Sequence, residues 1–164
     1  MNSTSCYECS NCNKHCNDRF DRSLCTIETS YPGLQNIVLN NPIFLGSIVD
    51  GTKTGRCIHL VGNSLVFSTP GLYLVTYSTS AVWTTLPYGT NEAIIKLKLN
   101  KTLLDGSETR VQVLTPQLEE NQTSNLAKTV LVPVTARNSS LTLISTSLQI
   151  MGFINTTVTV VKVG

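Results

Sequence analysis

From Leu34 onward the chain alternates short apolar runs with turn residues. The runs are NIVLN (36–40), IFLGSIV (43–49), RCIHLV (56–61), SLVFS (64–68), LYLVTYSTSAV (72–82), AIIKLKL (93–99), TRVQVLT (109–115), LAKTVLVPV (126–134), LTLISTSLQI (141–150) and TTVTVVKV (156–163). Ten such runs, broken by TPG, YGTN, DGS and ARNSS, have the spacing of a β-sandwich or barrel, and no segment of helical period and length competes with them. Alternation assigns faces within the runs. Ile95, Leu97 and Leu99 share one side of their strand and Lys96 and Lys98 the other, the pattern of a half-buried strand. In the closing run Val158, Val160 and Lys162 oppose Thr157, Thr159, Val161 and Val163. LYLVTY and TVLVPV are instead apolar on both sides, which a lone two-layer sandwich does not require; the second side is expected to meet a partner subunit.

Residues 1–33 read differently. They hold five of the six cysteines and Asn-rich spacers, with little apolar material beyond Phe20 and Leu24. Such a segment buries too little surface to fold alone, so it is expected to be a connector until something crosslinks, ligates or docks it. The predicted organisation is a Cys-rich N-terminal connector over 1–33 and an all-β sandwich of about ten strands over 34–164.

Composition narrows the function. Charged residues are only 13% of the chain, and the net charge of +2 comes from scattered single residues, so no basic stripe follows a phosphate backbone and nucleic acid is not an expected partner. The opening MNSTSCYECS has neither the basic start nor the apolar run of a secretory signal, and no later stretch has the length to span a bilayer. Synthesis in a cytosol is the expectation. Thiols of a cytosolic chain usually serve metal or redox chemistry, except where the protein later meets oxidising surroundings on cell lysis.

Three chemistries suit CYECSNCNKHC (6–16). The C-x2-C-x2-C-x3-C spacing of Cys6, Cys9, Cys12 and Cys16 matches an iron–sulfur run, but Asn17 stands where Pro usually follows and no second run is present. The same four thiols, with His15, offer soft donors to zinc, although zinc knuckles usually come in pairs across a longer loop. Disulfide crosslinking within or between subunits is the third and preferred reading, because tying a thiol-rich arm to a partner turns a loose contact into one of high effective concentration. The crosslinking set is Cys6, Cys9, Cys12, Cys16, Cys25 and Cys57. Cys57 is placed either to accept a tail thiol from another subunit or to pack as a small buried hydrophobe, and Cys25 suits either end. No cofactor is expected, zinc being the weaker alternative. His59 shares a strand face with Cys57, but no Asp or Asn is placed to orient the imidazole; with no phosphate loop or nucleophile elbow, the chain is read as a non-enzyme. Five Asn-x-Ser/Thr triplets occur, at Asn2, Asn100, Asn121, Asn138 and Asn155; chance alone gives about three in so Asn-, Ser- and Thr-rich a chain, so they are not read as evidence of glycosylation.

FSTPGLYLVTYS (67–78) resembles the Gly-x-Tyr strand of the tumour necrosis factor and complement-like jelly rolls. It is most similar to the C-terminal domain of collagen-like glycoproteins on the exosporium of Bacillus spores and their clostridial relatives. IIKLKLNKTLLDGS (94–107), LAKTVLVPVTARNSSLTLIS (126–145) and TTVTVVKVG (156–164) follow in family order. The resemblance implies a jelly roll that assembles as a homotrimer or fibre, with itself and other spore-coat or exosporium proteins as partners, on the spore surface or in an appendage. The collagen Gly-x-y stalk is absent, and the cysteine connector stands in its place. The alternative is a trimeric binding or adhesion head with a zinc-stabilised anchor.

Overall fold

The computed structural model describes residues 25–83, 89–115 and 122–164. Its strands are β1 (Thr26–Tyr31), β2 (Gln35–Ile37), β3 (Ser47–Ile48), β4 (Ile58–Val61), β5 (Ser64–Phe67), β6 (Gly71–Trp83), β7 (Gly89–Leu99), β8 (Thr102–Leu103), β9 (Thr109–Thr115), β10 (Gln122–Val134), β11 (Ser139–Ser145) and β12 (Met151–Lys162). They form two antiparallel sheets. The first runs β10-β6-β12-β1-β3, with β2 also pairing β12; the second runs β4-β5-β11-β7-β8, with β9 pairing β7. The expected all-β sandwich is therefore present.

Side-chain alternation builds the core between the sheets. Tyr73, Val75 and Tyr77 of β6, Val158 and Val160 of β12, and Ile95 and Leu97 of β7 are all buried. Phe67 and Tyr73 meet with ring centroids 4.5 Å apart, and the Tyr73 hydroxyl donates to the Thr69 carbonyl at 2.7 Å. Both β6 tyrosines are thus core residues whose polar tips find backbone partners. The polar groups near the β12 bulge are paired too. Gln35 donates to the Phe44 carbonyl and accepts from the Phe44 amide at 2.6 Å, and it reaches Thr156, which bonds Thr79 at 2.9 Å.

The connector boundary at residue 33 and the start of the sandwich do not coincide. Residues 26–31, grouped with the connector by composition, form β1, which pairs with β12 over six positions from Thr26↔Val161 to Tyr31↔Thr156. TIETSY alternates, but its inward residues are Ile27 and Thr29, so the strand carries a single strong apolar signal. The run 141–150 also differs: β11 ends at Ser145, because the chain there leaves one sheet for the other. The crossing is held by the Ile94 amide donating to Ser147 Oγ at 2.9 Å and the Thr146 amide donating to the Ile94 carbonyl at 2.9 Å.

Candidate assembly face and the root of the connector

The two sheets present opposite chemistry to their surroundings. On the outward side of the second sheet stand Glu92, Lys96 and Lys98 of β7, Arg110 of β9 and His59 of β4. Lys96 Nζ lies 2.6 Å from Glu108, Arg110 also binds Glu108, and Arg110 reaches Glu92 at 3.3 Å. Lys96, then Arg110, holds the Glu108 carboxyl below the usual glutamate range by hydrogen bonds to its charged form. A carboxyl with a depressed native pKa favours the fold above its unfolded value of about 4.3 and loses that contribution as pH falls through the native value. Acidification below about pH 4.3 is therefore expected to release Lys96 and Arg110. The expected result is that the Lys96 ammonium and Arg110 guanidinium NMR signals move together in that window and that the Lys96 signal stays fixed in Glu108→Gln, while Arg110 still follows Glu92; unchanged signals in the parent contradict it.

Residues 107–108 also tie the sheets together. Ser107 Oγ accepts from the Leu97 amide at 3.0 Å, the Tyr77 hydroxyl donates to the Ser107 carbonyl, and Lys128 of β10 donates to the Glu108 carbonyl at 2.8 Å. Burial, helped by the Glu108 charge, raises the Tyr77 pKa, so the phenol keeps the proton it donates.

The outward side of β10, β6 and β12 has another character. Register places Leu131, Leu74 and Val161 side by side across the three strands, then Thr129, Thr76 and Thr159, then Ala127, Ser78 and Thr157. Thr76 and Thr129 hydroxyls are 2.9 Å apart, and Ser80 donates to Asn125 at 2.6 Å. No Asp, Glu, Lys, Arg or His lies on this side of the three strands among the described side chains; the first charge met is Glu28, at the β1 border. Leu74 and Leu131 are exposed, as the two-sided apolar pattern of their strands implied. A solvated sheet ordinarily carries charge on its outer side, as the second sheet does. A flat band of aliphatic and hydroxyl groups without charge can be dehydrated at little cost, which is the property of an assembly surface.

The connector joins the sandwich beside this face. Cys25 is buried and its carbonyl accepts from the Lys162 amide at 2.8 Å. Thr26 hydrogen-bonds the Thr52 carbonyl at 2.7 Å and the Thr54 hydroxyl at 3.0 Å. Cys25 and Cys57 are bonded to each other, with Cα atoms 6.0 Å apart. Their disulfide links the entrance of β1 in the first sheet to that of β4 in the second. The pairing engages the Cys57 sulfur, so Cys57 and His59 make no nucleophile–base pair; His59 instead donates to the Arg56 carbonyl at 2.8 Å. Cys6, Cys9, Cys12, Cys16 and His15 lie outside the described residues. Among the described residues no group of three or more His, Cys, Asp or Glu is placed to hold a metal ion, and no helix is long and apolar enough to cross a membrane.

The Glu108 cluster has no signature in the sequence, because its members come from two separated segments, 92–96 and 108–110. Arg110 and Glu92 are neighbours only through the β7–β9 register, where Ile94 opposes Arg110 and Glu92 opposes Gln112.

Comparison with known proteins returns no matching family model and no matching curated protein. Solved structures do share the fold. The Eiger TNF from S. frugiperda superposes with a TM-score of 0.66 at 12% identity, over 87% of this chain and 94% of that one. The globular domain of zebrafish complement 1qA protein superposes with a TM-score of 0.51 at 6% identity, over 80% of this chain and 94% of that one. The sandwich is thus a jelly roll of the TNF and complement type.

Proposed function

We propose that this chain is a structural self-assembling protein whose jelly-roll heads associate through the outward side of β10, β6 and β12, as a homotrimer or as the repeating unit of a fibre. In this reading the thiols of Cys6, Cys9, Cys12 and Cys16 crosslink the assembly, while Cys25 and Cys57 serve each head internally. The observation that carries it is the uncharged face: among the described side chains the outward side of β10, β6 and β12 has no ionisable group, where the outward side of the other sheet has five. Neighbours of the TNF and complement type are consistent with an associating head. A place on a bacterial spore surface or appendage rests on the resemblance of FSTPGLYLVTYS and its companions to exosporium glycoproteins, with the cysteine connector standing where their stalk would be.

Leu74→Asp with Leu131→Asp tests the face. Both positions are exposed, so the monomer tolerates the change, whereas paired carboxylates buried between copies cost several kcal/mol. For a homotrimer, a threefold lower particle mass by sedimentation is expected, with unchanged β-sheet circular dichroism; an unchanged mass refutes the face. Detergent gels without and with thiol test the crosslinks. A ladder that collapses only on reduction supports them. No ladder, together with stoichiometric zinc in the purified protein, replaces them with the metal-anchored binding head.

A further inference from the structure

Any pull on the connector enters the sandwich at one point. Residues 1–24 are continuous with Cys25, whose carbonyl accepts from the Lys162 amide at 2.8 Å, at the C-terminal end of β12. From there β1 runs antiparallel to β12, with Thr26↔Val161 the first pair and Tyr31↔Thr156 the last. On its other side β1 pairs with β3 at Thr29 and Ser30 alone. Tension between the connector and the rest of the sheet therefore acts at the open end of one ladder, across the strands. In that geometry the pairs break one after another, and each modest hydrogen bond resists alone.

β1 is for this reason the weak end of its sheet. The neighbouring β12 is held on both sides, by β1 over six positions and by β6 along most of its length, so drawing it out breaks two ladders at once. Loss of β1 would reach the core. Cys25 and Cys57 are 32 positions apart, leaving 31 residues between them. Those residues include Ile27, Ile43 and Leu45, all fully buried. Peeling β1 uncovers Ile27 first and then loosens the segment that carries the other two.

The disulfide gives the tension a second route. Cys25 is bonded to Cys57, and Cys57 is seated in the other sheet. Its carbonyl accepts from the Ser68 amide at 2.8 Å, and Ile58 beside it pairs with Phe67. β5 in turn pairs with β11. Cys25 cannot leave β12 without dragging Cys57 away from β5, so strand ends in both sheets must give together. Residues 26–56 become a closed loop outside the line of tension.

We infer that the Cys25–Cys57 disulfide is a mechanical anchor for the connector, carrying tension past β1 into the second sheet. Its use in an assembly rests on the crosslinking reading above: where heads are held by β10, β6 and β12 and drawn on by their connectors, the β1–β12 ladder is the place at which the sheet is pulled apart. The anchor itself needs no neighbour, so single heads test it.

The test is single-molecule extension of the full chain by handles on its two ends, in the Cys6→Ser, Cys9→Ser, Cys12→Ser, Cys16→Ser background, where no connector thiol takes part. These handles draw Cys25 away from Lys162. With the disulfide intact, a single event at high force is expected. With Cys25→Ala and Cys57→Ala added, an earlier event at lower force is expected, and the total extension grows by roughly 100 Å, the length of 31 residues at ~3.3–3.6 Å each. Where the Ala pair does not fold, the dithiol form of the background, reduced while unfolded and refolded without oxidant, gives the same reading. Gly46→Ala separates anchoring from stability. It disturbs the β1–β3 contact but keeps the disulfide, so the extension of the background and no early event are expected. Equal extension with and without the two cysteines, or an Ala pair that holds to the force of the background, overturns the anchor. A force for Gly46→Ala as low as that of the Ala pair overturns it too, because the loss then follows stability. Failure of the gel ladder removes the crosslinks and leaves these single-head readings unchanged, so the two failures are told apart.

Discussion

Replacing Cys25 and Cys57 together by Ala is expected to lower the stability of the sandwich by about 3–4 kcal/mol, the entropy released when a crosslink across a loop of this length is removed from the unfolded chain. The bonded cysteines are 32 residues apart, and the loop they close holds β1 to β3, including the strand that pairs with β12 over its whole length. For a domain of this size the melting temperature is expected to fall on the order of 10 °C, read by circular dichroism. Replacing Cys6, Cys9, Cys12 and Cys16 by Ser is expected to move the same melting curve by a few degrees at most, because no described strand contains them. Thiol labelling supplies a second readout. Cys25 and Cys57 are 1% and 6% exposed, so after mild reduction of the folded protein four thiols should react fast and two only on unfolding. An Ala pair as stable as the parent, or six equally reactive thiols, contradicts the internal clamp.

Gly46→Ala is expected to be nearly as damaging, for a different reason. Gly46 has φ +77°, and a Cβ there would sit 2.0 Å from the Ser30 carbonyl oxygen and 2.8 Å from Tyr31 Cβ. The clash is with the backbone of β1, so no side-chain rotation relieves it; the β1–β3 pairing of Ser30 with Ser47 must shift. The left-handed backbone costs about 1–2 kcal/mol for a residue with a Cβ, and the displaced strand raises the total to about 3 kcal/mol. Gly51→Ala is the control. It shares φ +77° but has open space around the added carbon, so it is expected to lose only about 1 kcal/mol, the conformational part. Denaturant unfolding of the two variants isolates the packing contribution, and equal losses would show that the close approach of β3 to β1 carries none of it.

Several features were legible in the residues alone. The alternation in AIIKLKL placed Ile95 and Leu97 inward and Lys96 and Lys98 outward, as found. The two-sided apolarity of LYLVTY and TVLVPV marked the strands whose outer Leu74 and Leu131 stand exposed. The triplets at Asn100, Asn138 and Asn155 have a backbone explanation: all three residues have φ between 53° and 59°, a left-handed conformation that Asn tolerates better than most residues. Asn100 also accepts from the Ser140 amide at 2.9 Å. Left-handed backbone, at turns for Asn100 and Asn138 and at the β12 bulge for Asn155, therefore accounts for asparagine at three of the five acceptor triplets.

Periodicity, turn chemistry and low charge by themselves determined that this protein is an all-β sandwich and which strands have two apolar sides. Those properties are local, set by alternation over a few residues and by the backbone preferences of Pro, Gly and Asn. Only the tertiary structure decided that TIETSY is a paired strand, that Cys25 bonds Cys57, and that the outward side of β10, β6 and β12 carries no charge among the described side chains. Each of these joins segments distant in the chain through strand register, and register is chosen by the packing of the whole core, to which no single run holds the answer.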